Sequence, residues 1–160
     1  MPTHQERRAP GDARKYRFGF SLLGFIAVLV PMIPNGVWAL VPGASDALAG
    51  NHSPWPVVDV VGTVAQSAMI ALLILLVTRR ELTTGGRVLG AVAIMCLAAY
   101  LLLWVLYFTV DLTPLMILMM AVLPSVYFIC VALYLENYPA VVLASLFALI
   151  HIATTAMNFL

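Results

Sequence analysis

The fold class the sequence predicts is an all-α bundle of five transmembrane helices, N-terminus cytoplasmic and C-terminus extracytoplasmic. Three observations predict it. Hydrophobic residues make up 63% of the 160 and charged residues 9%, against about 25% charged in a soluble domain, whose surface must be wetted. Apolar stretches of membrane-spanning length recur along the chain, parted by Pro, Gly, Asn and charge. All Lys and Arg residues, 8 in total, lie either in the N-terminal arm or between the second and third stretches. Those two segments share the cytoplasmic side only if the N-terminus is inside.

Taken in order, residues 1–17 carry Arg7, Arg8, Arg14, Lys15 and Arg17 around Pro10 and Gly11. They read as a disordered basic cytoplasmic arm, a topology signal that can also hold anionic lipid headgroups. Residues 18–160 form a single membrane domain, whose first span is 18–41. A cleaved signal peptide is its competitor, because Ala47-Leu48-Ala49 resembles a cleavage site, but the apolar part is too long for an h-region. Pro31 and Pro34 should kink the end of this helix, and the backbone groups they release at that depth need protein or water partners. A loop follows over 42–56, with Trp55 as an interfacial anchor. Its Asn51-His52-Ser53 matches a glycosylation acceptor, but Pro54 follows and the match reads as chance.

The second span is 57–77, closed by Thr78, Arg79 and Arg80, and Gly85-Gly86 signals a turn before the third span at 88–110. Asp111-Leu112-Thr113-Pro114 makes a tight turn into the fourth span, 115–135, which Pro124 should kink. Glu136, Asn137 and Tyr138 turn the chain again, and Pro139 opens the fifth span, 139–160.

Polar side chains inside these spans line up at helical spacing. Asp59, Thr63 and Gln66 share one face of the second helix, and Cys96, Tyr100, Trp104 and Tyr107 share one face of the third. Phe147, His151, Thr154/Thr155 and Asn158 do so on the fifth, and Val28, Pro31, Asn35 and Trp38 on the first. Met116, Met120 and Tyr127 give the fourth a softer stripe. At 1.5 Å per residue, Gln66 and His151 both lie about 13 Å below the outer ends of their helices, Asn35 about 9 Å and Trp104 about 7 Å. Asp59, Tyr107 and Asn158 lie near the outer rim. If the faces converge, they make an outward-facing pocket walled by Trp and Tyr, with Gln66 and His151 as its floor.

Two readings of that pocket stay open. In one, its polar groups are interhelical hydrogen-bond contacts and the protein is structural or assists assembly. In the other, Asn35, Trp38, Asp59, Gln66, Trp104, Tyr107, His151 and Asn158 form a site for a small cationic or amphipathic ligand or a partner. An ionisable side chain such as His151 within a span is costly, which favours a role, and a proton relay to Asp59 is one version of it. No nucleophile–base pair, phosphate-cradling Gly loop or metal-ligand spacing is present, so an enzyme is not expected. No cofactor or nucleic-acid partner is expected either. Cys96 and Cys130 read as buried thiols. The lipid bilayer is the expected surrounding, and a homo-oligomer or larger membrane complex the expected assembly.

The scarcity of Lys beside abundant Arg, Ala and Val suggests a GC-rich bacterial genome, hence a bacterial inner membrane. Ile33-Pro34-Asn35 with Trp38, the Asp59/Gly62/Gln66 element, and Phe147 with His151 ahead of Asn158-Phe159 carry a resemblance. On them the chain resembles a small family of five-span bacterial membrane proteins with no assigned activity. It does not resemble the tryptophan-rich translocator family, whose motifs are absent, and it lacks the paired repeats of inverted-topology transporters.

Overall fold

A computed structural model describes residues 16–40, 48–78, 84–110 and 112–160. The expectations that fall on 1–15, 41–47, 79–83 and Asp111 lie outside the described residues. Five helices run α1 (Leu22–Leu40), α2 (Pro56–Leu75), α3 (Thr84–Thr109), α4 (Pro114–Tyr134) and α5 (Tyr138–Phe159). Each is long and apolar enough to cross a membrane, which makes this a multi-pass membrane protein by length and composition. The helices close a ring in the order α1, α2, α5, α4, α3, and α1 also touches α4. Large apolar side chains such as Ile94 and Leu149 face outward, about 70% exposed, as a lipid-bathed surface requires.

Two short strands depart from the all-helical expectation. β1 (Tyr16–Phe18) pairs antiparallel with β2 (Leu76–Thr78), Arg17 opposite Val77. Tyr16 and Arg17, expected in the arm, and Phe18, Leu76 and Val77, expected in spans, thus form a ribbon at one end of the bundle. The cause is local. Ser21 caps α1, its Oγ accepting from the Gly24 amide at 3.0 Å, so the helix cannot begin before Leu22. Gly19 and Ser21 then donate their amides to Leu75 and Ile74 carbonyls at 3.0 and 2.7 Å, supplying partners that the end of α2 lacks. α3 also begins earlier than expected, at Thr84, with Gly85 and Gly86 in its first turn. First-turn amides have no intrahelical acceptor, so glycine weakens a helix least there.

The turn from α4 to α5 is a Schellman close. Glu136 takes a left-handed φ of 51°; its amide bonds Leu133 O, and the Asn137 amide bonds Ala132 O, both at 2.9 Å. Asn137, fully buried, then caps α5 by accepting from the Ala140 amide at 3.2 Å. Its Nδ2 reaches across to the Leu72 carbonyl at 2.9 Å and the Leu76 carbonyl at 3.5 Å. The Thr78 hydroxyl adds a bond to Leu135 O. One turn residue therefore ties α5 to the end of α2.

Proline makes the other fixed point. Pro31 has no amide, so it leaves the Ala27 carbonyl without its helical donor. The Tyr127 hydroxyl, from α4, fills that place at 2.8 Å. Below it, Gly24 lets α1 meet α2 at backbone distance, because a Cβ there would stand 1.9 Å from Leu73 O. Around these points Met69, Leu73, Phe128, Val131 and Ala144 make the apolar core.

Two substitutions test this frame by reversible unfolding in micelles. Gly24→Ala forces α1 off α2, and Asn137→Leu strands buried carbonyls; each is expected to cost about 2–4 kcal/mol. Leu149→Ala, on the lipid face, should shift the midpoint little.

Candidate functional site

Opposite the β-ribbon, the bundle carries the loop before α2, the turn before α4 and the end of α5. There, residues from all five helices surround a cleft of about 430 Å³, within the size range of small-molecule sites. Asn35, Trp38, Asp59, Gln66, Trp104 and His151 line it. Tyr107 and Asn158, the other two expected residues, stand behind the lining and brace it. The cleft continues past Gln66 and His151 to Phe128 and Phe147, so its floor is apolar and the two polar groups sit on its walls.

Four of the expected residues act as contacts, three of them between helices and Asn158 from α5 to the loop before α2. Asn35 Nδ2 donates to the Pro31 carbonyl and to the Tyr100 hydroxyl, both at 3.1 Å. Trp38 Nε1 donates to the Tyr107 hydroxyl at 3.1 Å. The bonds to Tyr100 and Tyr107 join the upper half of α1 to α3. Asn158 Nδ2 donates to Asn51 Oδ1 at 2.9 Å and to the His52 carbonyl at 3.0 Å. Tyr100, Trp104, Tyr107 and Phe108 pack edge-on or stacked along α3, with successive ring centroids 5.2–6.3 Å apart. Within that stack Trp104 is 4% exposed, and its Nε1 is buried without a hydrogen-bond partner. The Tyr100 hydroxyl is its polar neighbour, at a geometry that makes no hydrogen bond.

The loop before α2 is a roof, which spacing within the helices does not announce. Leu48, Asn51 and His52 line the cleft from above. Asn51 donates to Thr155 Oγ1 at 2.9 Å, and that hydroxyl donates in turn to His151 O at 2.8 Å. Asp59 Oδ1 accepts from the Ser53 amide at 3.0 Å, and Ser53 Oγ accepts from the Trp55 amide at 3.2 Å. The signal was present in the loop's polar run, Asn51-His52-Ser53, but its partners are about a hundred residues away on α5. Tyr100, on the same face of α3 as Trp104 and Tyr107, also lines the cleft.

Gln66 and His151 behave differently. Neither side chain has a hydrogen-bond partner among the described residues. The His151 ring stacks on Phe147, centroids 5.1 Å apart and planes 14° from parallel, which fixes its plane and leaves its nitrogens for another partner. Among the described residues no Lys or Arg lines the cleft, and Asp59 is its one carboxylate. The electrostatics therefore suit a neutral or cationic group better than an anion. Cys96 and Cys130 are free thiols outside the lining. Among the described residues no three His, Cys, Asp or Glu side chains gather as for a metal.

The braces should be separable from the cleft by a double-mutant cycle on stability. Asn35→Ala combined with Tyr100→Phe is expected to show a coupling of about 0.6–1.7 kcal/mol, the range of polar contacts between membrane helices. Additive losses would mean that the pair does not hold α1 to α3.

No protein-family model, curated protein or solved structure matches the chain.

Proposed function

We propose that this is a non-enzymatic integral protein of a bacterial inner membrane that binds a small neutral or cationic amphipathic molecule in the five-helix cleft. In this reading the N-terminus is cytoplasmic and the cleft belongs to the outer half of the bilayer, as the placement of Lys and Arg favours. The observation that carries it is the pair Gln66 and His151. Polar groups kept only to hold helices together should bond a neighbouring helix, as Asn35 and Trp38 do. Gln66 and His151 instead present polar atoms to the cavity, and neither has a partner among the described residues, which leaves both to hydrogen-bond a bound molecule.

A structural or assembly role is the second reading, and the braces on Tyr100, Tyr107 and Asn51 favour it for their own residues. Stability and binding measurements on the same variants separate the two. Gln66→Leu and His151→Leu are expected to unfold within about 1 kcal/mol of wild type. Native mass spectrometry should detect a small molecule co-purifying with wild type and lost at least tenfold from both variants. Losses of stability above about 2 kcal/mol, with no bound molecule in wild type, would instead assign both residues to packing. Orientation is tested by a C-terminal alkaline phosphatase fusion, expected to be active.

A further inference from the structure

Most walls of the cleft are closed. Tyr100, Trp104, Met120, Phe128, Thr154 and Thr155, on α3, α4 and α5, are all buried. The roof is tied to α5 by Asn51 and Asn158 and to α2 by Asp59. Two helix residues that line the cleft are nonetheless exposed: Met32 on α1, 37% exposed, and Thr63 on α2. They lie on the two helices that are neighbours there. Residue 32 is about 12 Å and residue 63 about 10 Å from the cleft-end termini of their helices, so the two are level. A side opening between α1 and α2 is therefore the way into the cleft that these exposures mark.

The hydrogen bonds explain why the gap falls at this seam. In its lower half α1 is pinned to α2 by the Gly24 contact and by the ribbon. Above Pro31, the side-chain bonds that leave α1 go to α3, through Asn35 and Trp38. Gly62 of α2 packs on Ile150 of α5, with a Cβ at 62 placed 3.1 Å from Ile150 Cγ2. Above Pro31 these contacts hold α1 against α3 and α2 against α5. The surface beside the gap, Leu29, Ile33, Val60 and Val64, is exposed and apolar. At this depth a five-helix membrane protein is surrounded by hydrocarbon and not by water.

Building on the binding role proposed above, we infer that the cleft takes its ligand sideways from the lipid, between Met32 and Thr63. The ligand class is a single-chain amphiphile with an uncharged or cationic hydrogen-bonding head. Its head sits between Gln66 and His151, against Phe147 and Trp104, and its tail remains in the bilayer through the opening. A cavity of about 430 Å³ accommodates a head and the start of one chain. The absence of Lys and Arg from the lining among the described residues disfavours an anionic head.

The test uses the full chain in phosphatidylcholine nanodiscs, with a diazirine-bearing monoacylglycerol as neutral probe and a diazirine-bearing fatty acid as anionic probe. Photolysis followed by peptide mapping should place monoacylglycerol adducts on Phe147, Trp104 or Phe128, at least fivefold above those from the fatty acid. Thr63→Trp, which sets a large ring in the opening, should reduce those adducts at least fivefold. Met32→Phe serves as a second plug if Thr63→Trp melts early. In a Cys96→Ala, Cys130→Ala background, Thr154→Cys should react with a charged, water-soluble thiosulfonate at least a hundredfold more slowly than His52→Cys on the roof. Adducts confined to lipid-facing positions such as Val60 and Leu149 would overturn the inference. So would adducts on the cleft walls that are indifferent to the plugs or to head charge. Rapid modification of Thr154→Cys would show supply from water, overturning lipid access while leaving the binding role to stand on the co-purified molecule.

Discussion

A backbone carbonyl inside a bilayer has no water to fall back on, and that constraint organises this protein. Pro31 releases the Ala27 carbonyl, and Tyr127 of α4 supplies the missing donor. The C-terminal carbonyls of α2 are met by the amides of Gly19 and Ser21 and by the side chain of Asn137. Each repair joins segments far apart in the chain, so satisfying the backbone also sets the packing. The tiny β-ribbon has the same origin, because the chain approaching α1 is the nearest source of unpaired amides for the end of α2.

These repairs divide the bundle into two halves with different physics. The ribbon half is held by backbone contacts, the buried Asn137 and close-packed apolar side chains. The cleft half is held by a few long-range polar bonds around an open space. At Pro31 α1 changes its polar partner between the halves, from α2 below to α3 above. A bundle can stay open at one end only if its other end is fixed, and here Gly24, Tyr127 and Asn137 fix it.

The same split sorts the polar residues. Asn35, Trp38, Tyr107 and Asn158 share helical spacing with Gln66 and His151, yet the first four take part in hydrogen bonds across the cleft rim. Asp59 stands between the groups, with one carboxylate oxygen spent on the roof. Helical spacing reports which way a side chain leaves its helix; it carries no information on whether an acceptor waits on the neighbouring one. Contact and site residues therefore look alike in one dimension.

By itself the sequence determined the five apolar helices, their order, and the end of the bundle at which the polar faces gather. These follow from composition, 3.6-residue periodicity and span length, all properties of single segments. Proline positions also announced that freed carbonyls would need partners, without saying which residue would answer. Only the tertiary structure decided that Tyr127 answers, that Asn51 and His52 roof the cleft, and that the residues at 16–18 pair with β2. Those outcomes depend on segments brought together across as many as 107 positions. Local propensity carries no trace of such pairings. The distinction between Gln66 and Asn35 is of this kind: both are amides on cleft-facing turns, and what separates them is the Tyr100 hydroxyl, which lies within reach of one.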